Sequence, residues 1–293
     1  MSHISAEIAF QPEAWRRAAD LVPQVVADLP QHGERVAVVG CGTSWFMAEA
    51  YAGLRESLGH GETDAFTATE FPHHRRYDRI VAITRSGTTT EILDLLREQR
   101  GRTTTVVITA DTDTPVVTAS ENIIDLRFAD ERSVVQTLFA TTALTLLRAH
   151  LGHDVGALAE AAERALLVPL PRLWLEAEQI TFLGSGWTHG IAREAALKLR
   201  EASQSWTESY PGAEYRHGPI SIAAPGRVVW HFGSGGESLV DQVRATGAAF
   251  VDHADDAQVD LVLVQRLAAE RAVHLGLDPD RPRNLTRSVV LDG

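Results

Sequence analysis

The sequence predicts an α/β protein made of two doubly wound halves, each a parallel sheet with helices on both faces. Three observations carry this. Apolar runs at 36–39 (VAVV) and 180–183 (ITFL) end in Gly-x-Gly turns, Gly40-Cys41-Gly42 and Gly184-Ser185-Gly186, and pass straight into helical patterns. A continuous apolar run ending this way is how a buried parallel strand meets its helix. The pattern then recurs: 79–83 (RIVAI) leads to Ser86-Gly87, and 227–232 (RVVWHF) leads to Ser234-Gly235. The Gly-x-Gly turns begin at 40 and 184, 144 positions apart, and the Ser-Gly pairs at 86 and 234, 148 apart, which reads as an internal duplication. Finally, strand and helix patterns alternate along the chain, which implies parallel sheets covered on both faces.

In order, the first half reads as a helix over 14–29 bent by Pro23, the strand at 36–39, and a helix over 45–58. The strand at 79–83 follows, then a helix over 90–97, strands at 105–109 and 123–126, and helices over 133–150 and 156–168. Residues 167–178 (LVPLPRLWLEAE) hold two prolines and make the best boundary, separating 1–168 from 169–293. In the second half the strand at 180–183 leads into 187–202, rich in Ala, Leu, Arg and Glu without internal proline, a strong helix. Beyond it lie the strand at 227–232, a helix over 237–244, a strand at 259–263 (VDLVL) and a helix over 264–275.

A chain of 293 residues can bury a substantial core, and 44% hydrophobic with 23% charged residues is ordinary for a globular protein. The formal net charge of −12 argues against binding nucleic-acid phosphates, which needs basic patches. The one short basic cluster, Arg75-Arg76 after His73-His74, reads as a solvated loop. A single cysteine, Cys41, excludes a disulfide framework and a cysteine-based zinc site. No secretory signal and no apolar run of about 20 residues is present, so a cytoplasmic protein is expected. The twelve histidines show no metal-ligand spacing, so no metal is assigned. Neither glycine turn matches G-x-G-x-x-G, so no nicotinamide or flavin cofactor is expected.

In doubly wound sheets ligands bind outside the carboxyl ends of the strands, at the switch point. There the first half gathers hydroxyls: Thr43 and Ser44 after one strand, Thr84, Ser86, Thr88, Thr89 and Thr90 after another. Hydroxyls and free N–H groups at helix N-termini suit an anion such as a phosphate ester. Helix capping is the plainer explanation for one such turn, but two with glycines in one half tilt towards phosphate. The second half lacks this hydroxyl density, so one anion site per chain is expected, in the first half.

Lys198 is the only lysine; the other 26 basic residues are arginine. A lone surviving ammonium suggests a position that needs a compact point charge. On the 187–202 helix Glu194, Lys198 and Glu201 fall at i, i+4 and i+7, on one face. A solvated ion-pair ladder would explain the spacing equally well. Downstream, His217 in Arg216-His217-Gly218-Pro219 must sit on a turn, because His-Gly-Pro cannot continue a helix. Carboxylate, ammonium and imidazole together could supply a base, an electrophile and a ring-opening acid/base. Cys41 itself reads as a small packing residue at a strand end.

With these motifs placed, the chain resembles the sugar isomerase (SIS) family, above all the isomerase half of the glucosamine-6-phosphate synthases. The matching blocks are CGTS at 41–44, TRSGTTTE at 84–91, ERSVVQT at 131–137, EAALKLREAS at 194–203, YRHGP at 215–219 and PRNL at 282–285. The resemblance implies two tandem flavodoxin-like SIS subdomains and a homodimer with shared active sites, needing no cofactor. It implies that the sugar phosphate is held by Cys41, Gly42, Thr43, Ser44, Thr84, Arg85, Ser86 and Thr89, with Ser133, Gln136 and Arg287 in further substrate-binding positions. It makes Glu201 the isomerisation base, Lys198 a supporting cation, and His217 the ring-opening group, donated by the partner subunit.

Three departures from the synthase pattern shape the expectation. The match begins almost at Met1, so no amidotransferase half is expected. Arg287 stands where the synthase has a Schiff-base lysine, and a guanidinium cannot condense with a carbonyl. Arg85 and Gln136 replace smaller or neutral residues of the sugar loops. Together these predict an isomerase/deaminase acting on an amino-sugar phosphate such as glucosamine 6-phosphate. The alternatives are a deglycase for a phosphorylated ketosamine and a non-catalytic sugar-phosphate sensor.

Overall fold

The structure, a computed structural model, describes residues 2–291. These divide into two compact units that interleave along the chain. One unit comprises Glu13–Arg132, Gln136–Gly156 and the tail from Thr286 onward; the other comprises the chain up to Pro12, Ser133–Val135 and Ala157–Leu285. The sequence reading places a single cut at 168; in the structure the first twelve residues cluster with the later unit and the tail with the earlier one. The first helix, α1 (His3–Val25), therefore contributes to both. It begins eleven residues before the expected start at 14 and runs through Pro12. Ile4 and Ile8, one turn apart and fully buried, extend its apolar stripe towards the N-terminus.

In the earlier unit, β1 (Val36–Gly40), α2 (Thr43–Ser57), β2 (Thr63–Thr67), β3 (Arg79–Ile83), α3 (Thr90–Gln99), β4 (Thr104–Thr109), α4 (Val116–Ala119) and β5 (Asn122–Asp125) follow one another. Then come α5 (Leu138–His150) and α6 (Val155–Ala165). The sheet is parallel throughout, in the order β2-β1-β3-β4-β5. β1 and β3 are buried along their whole length, so both faces are covered, as their unbroken apolar runs require. On one face Val39, Ile80, Ala82, Ile92, Leu96 and Val107 pack together with the half-buried Cys41.

After α7 (Arg172–Glu176), the later unit repeats the design with β6 (Gln179–Gly184), α8 (Thr188–Ser203), β7 (Thr207–Pro211), β8 (Arg227–His231), α9 (Glu237–Ala245), β9 (Ala249–Asp252) and α10 (Ala257–His274). Its order is β7-β6-β8-β9, again parallel. The pairing is duplicated too. Val36 of β1 sits opposite Thr63 and Arg79, and Ile180 of β6 sits opposite Thr207 and Val228. At Gly40 and Gly184 an added Cβ would overlap the backbone of Ser44 and of Thr188. Only glycine lets each helix start so close to its strand end.

Two further expectations are corrected, and three strands were not foreseen. Residues 259–263 are not a strand; they lie inside α10. Residues 257–265 of that helix are all buried, so the run has no polar stripe and its β-branched residues imitate a strand. Asp256 caps the helix by accepting from the N–H of Gln258 at 2.9 Å. The helix expected over 133–150 begins at Leu138. The strands β2, β7 and β9 escape a reading based on apolar runs because all three are sheet edges with mixed burial.

Candidate active site

The order 2-1-3 in the earlier sheet puts its switch point between β1 and β3, so the 41–44 and 84–90 turns share one end of the sheet. A cavity of about 30 Å³ lies there, lined among others by Cys41, Ser44, Thr84, Arg85, Ser86, Thr89, Gln136 and Arg287. Eight of the expected binding residues thus converge; Gly42, Thr43 and Ser133 are not among the lining groups. Ser133 belongs to the other unit, where its N–H donates to Glu7 at 3.2 Å. As it stands the cavity has room for about one water, too little for a phosphate group.

The hydroxyls here are not helix caps. Thr89 occupies the N-cap position of α3 without a side-chain cap bond, and Gly42 holds that position before α2. The Ser86 hydroxyl instead accepts from the Thr88 N–H at 3.3 Å and from the Thr88 hydroxyl at 3.1 Å. Gly87 has φ +62, and an added Cβ would overlap the Thr114 hydroxyl, so the turn depends on glycine. Burial, then the charge of Glu91, pushes the Cys41 thiol up to about 11. It stays protonated at neutral pH and fills space, in line with the packing reading.

Arg85 is buried to 2% exposure. Its Nη1 lies 3.6 Å from Glu131 Oε2, and its Nη2 donates to the Arg287 carbonyl at 2.9 Å. The Arg287 guanidinium in turn donates to the Glu131 carbonyl and pairs with Asp130. Beyond Arg287 the tail follows the start of α3: the Thr88 and Ser288 hydroxyls are 3.0 Å apart, the Thr90 N–H donates to the Val289 carbonyl, and the Leu291 N–H donates to the Thr90 hydroxyl.

In the later unit the expected cation is buried. Lys198 is 1% exposed, with Nζ 2.5 Å from Glu201 Oε2 and 3.5 Å from Glu194 Oε1. This is no solvated ladder. One ammonium lies between two carboxylates, and removing one partner of a buried pair costs about 3–5 kcal/mol. The side chains of the carboxylates differ in access: Glu194 is 1% exposed and Glu201 19%. Of the two, Glu201 alone keeps appreciable solvent access. Glu194 was legible in the i, i+4 spacing as a partner for Lys198.

His217 ends a 3-10 turn, Ala213–His217, and is followed by Gly218 at φ +133 and Pro219. The turn is anchored by Tyr215, fully buried against Leu183, Val229 and Leu239, and by Arg216, which donates to Gln242 Oε1 at 2.8 Å. The imidazole itself is exposed and, among the described residues, makes no hydrogen bond to Glu201 or Lys198. Near the start of α8, burial and then the charge of Arg193 hold His189 below the usual imidazole range. Among the described residues no group of three or more His, Cys, Asp or Glu could hold a metal ion, and no helix is long and apolar enough to cross a membrane.

Known proteins resemble this chain in sequence and in fold. The SIS domain model matches residues 31–150. The chain is 28% identical, over 98% of its length, to the glutamine–fructose-6-phosphate aminotransferase (isomerizing) of Methanothermobacter thermautotrophicus, and spans 57% of that relative. It thus covers little more than half of the curated relatives it matches. Its fold matches a glucosamine-6-phosphate deaminase from Thermotoga maritima with a TM-score of 0.80 at 23% identity, covering 98% of this chain and all of the other. It matches a tagatose-6-phosphate ketose/aldose isomerase from Escherichia coli with a TM-score of 0.81 at 19% identity, covering 99% and 97%. Residues 31–150 thus match the SIS domain, and the chain shares its fold with these solved structures.

Proposed function

We propose that this chain, which carries a match to the SIS domain, is an enzyme that isomerises and deaminates an amino-sugar phosphate such as glucosamine 6-phosphate. The observation that carries this is the α8 cluster, where Lys198 holds two carboxylates and only Glu201 is open to a substrate. His217 opens the sugar ring, exposing the C1 aldehyde beside the C2 amine. Glu201 takes the proton from C2, and Lys198 stabilises the charge that develops on the C1 oxygen. Returning the proton to C1 leaves a C2 imine, and water hydrolyses it to the ketose phosphate and ammonia. The substrate brings its own nitrogen, so no enzymic Schiff base is needed. Arg287, a guanidinium at the cavity wall, could not form one.

The 84–90 turn grips the phosphate, with Thr84, Ser86 and Thr89 as donors beside the 41–44 turn. The working unit is a homodimer in which His217 acts on the partner's substrate, which the exposed imidazole on a rigid turn supports. A second reading, deglycation of a phosphorylated ketosamine, is favoured by one observation: two guanidiniums, Arg85 and Arg287, line one cavity and could meet a second anionic group. Incubating the full chain with a panel of amino-sugar and ketosamine phosphates, and following ammonia, amino acid and ketose phosphate, separates the readings. Ammonia with ketose phosphate supports the first, and free amino acid the second. Binding without turnover of any member would contradict both.

A further inference from the structure

Glu131 is ionisable, 1% exposed, and outside every set of binding or catalytic residues that the sequence motifs assign. Its Oε1 accepts the N–H groups of Thr137 and Leu138, both at 2.6 Å, and the Thr137 hydroxyl at 3.1 Å. That makes it a carboxylate cap on the first turn of α5, where negative charge is favoured. Its Oε2 faces the Arg85 guanidinium at 3.6 Å. Its backbone carbonyl receives the Arg287 guanidinium. Three groups of the cavity wall are thus referenced to one residue: Arg85, Arg287, and Gln136, which directly precedes Thr137.

A buried guanidinium needs a compensating charge, because an isolated ion in a low-dielectric interior is strongly disfavoured. A carboxylate beside an anion site has an electrostatic cost of its own, since it opposes the ligand's charge. Its presence is explained if it fixes where the cation stands. Its two oxygens do different things: one is spent on α5, which immobilises the carboxylate, and the other faces Arg85.

We propose that Glu131 is the positioning residue of the anion cavity: it acts on the phosphate through Arg85, holding that guanidinium against the cavity wall. The proposal rests on reading the cavity as the phosphate site. It is tested by titrating the full chain calorimetrically with inorganic phosphate, for the unsubstituted protein, Arg85→Gln, Glu131→Gln and the double variant. A glutamine at 131 keeps an oxygen for Thr137 and Leu138 and loses only the charge. Each single substitution should weaken phosphate about tenfold, the scale of a hydrogen bond to a charged group. The double variant should bind no worse than Arg85→Gln alone, because the route runs through Arg85.

Losses that add in the double variant would overturn the proposal, since Glu131 would then act through the α5 cap alone. Unchanged or tighter binding by Glu131→Gln would overturn it as well. Phosphate binding that Arg85→Gln leaves untouched would remove the route while leaving the cavity reading intact. No binding by the unsubstituted protein would remove the cavity reading and the proposal together. Should Glu131→Gln melt before it can be titrated, Glu131→Asp keeps the charge at shorter reach. It should show a smaller loss that disappears in the Arg85→Gln background, and a loss that persists there would again overturn the proposal.

Discussion

The two units start from one design and diverge at the same place. Both sheets send a central strand into a glycine-pinched helix start, at Gly40 and Gly184, and both carry a second turn after the neighbouring strand. In the earlier unit that second turn, 84–90, is crowded with hydroxyls, faces a small polar cavity and keeps a buried arginine. Its counterpart at 232–236 reads FGSGG and opens onto Glu237, Asp241 and Asp252 with a single cation, Arg244, so carboxylates outnumber guanidinium there. The later unit has its specialised chemistry elsewhere, one helix turn after another along α8, as a buried ion cluster. The difference teaches that two sheets of one design offer equivalent ends, and that the proposed labour is divided between them: an anion grip on one, proton transfer on the other.

The sharpest way to break that division is Glu201→Gln. General base catalysis typically contributes about 10²–10⁴-fold, so turnover should fall on that scale while inorganic phosphate, titrated calorimetrically, binds as before. Loss of phosphate binding along with turnover would merge the two roles. Next in size is rescue by mixing. Glu201→Gln and His217→Ala chains, each inactive alone, should regain part of the activity once subunits have exchanged. No recovery after confirmed exchange would place His217 and Glu201 in one chain's site.

A smaller effect is expected from the other unit. Ser86→Ala combined with Thr89→Ala should raise KM and leave kcat nearly unchanged, the mark of lost uniform binding. Steady-state kinetics checks it, and a fall in kcat at unchanged KM would contradict the grip. The mildest effect concerns stability. His253 Nδ1 lies 2.6 Å from Asp260 Oδ1, and the other oxygen of Asp260 accepts from the Trp230 indole at 2.7 Å. The hydrogen bond from His253 to Asp260, aided by the Asp260, Asp255 and Asp252 charges and opposed by burial, raises the imidazole above its usual range. A raised folded value stabilises fully below the unfolded value of about 6.5 and fades as pH climbs through the folded one. Melting temperature should therefore drop more between pH 6 and 9 in the unsubstituted protein than in His253→Gln.

Much of this was legible in the sequence because buried strands and glycine turns announce themselves. β1, β3, β6 and β8 are apolar along most of their length, and each closes on a small-residue turn. Three of the four edge strands were not legible: TDAFT, TESYP and AFVD are half-exposed and carry no period that separates them from loops. Residues 259–263 misled for the opposite reason, being too thoroughly buried to show a helical stripe. Around the site, Lys198 stood out by rarity and Glu194 by spacing. Glu131 had no such signal, since its partners Arg85, Thr137 and Arg287 come together only in the folded chain. For Arg287 the sequence located the position, and the fold added its ties to Asp130 and Glu131.

The division of labour is tested most directly by proton exchange at saturating substrate. Glucosamine 6-phosphate would be incubated in heavy water with the unsubstituted chain, with Ser86→Ala/Thr89→Ala and with Glu201→Gln, and deuterium at C1 of the ketose phosphate formed and at C2 of the remaining substrate read by NMR. The unsubstituted chain and the loop variant should incorporate deuterium at similar rates once saturated, and Glu201→Gln should fall to background. Exchange that survives in Glu201→Gln, or vanishes in the saturated loop variant, would contradict the assignment of grip and chemistry to different units.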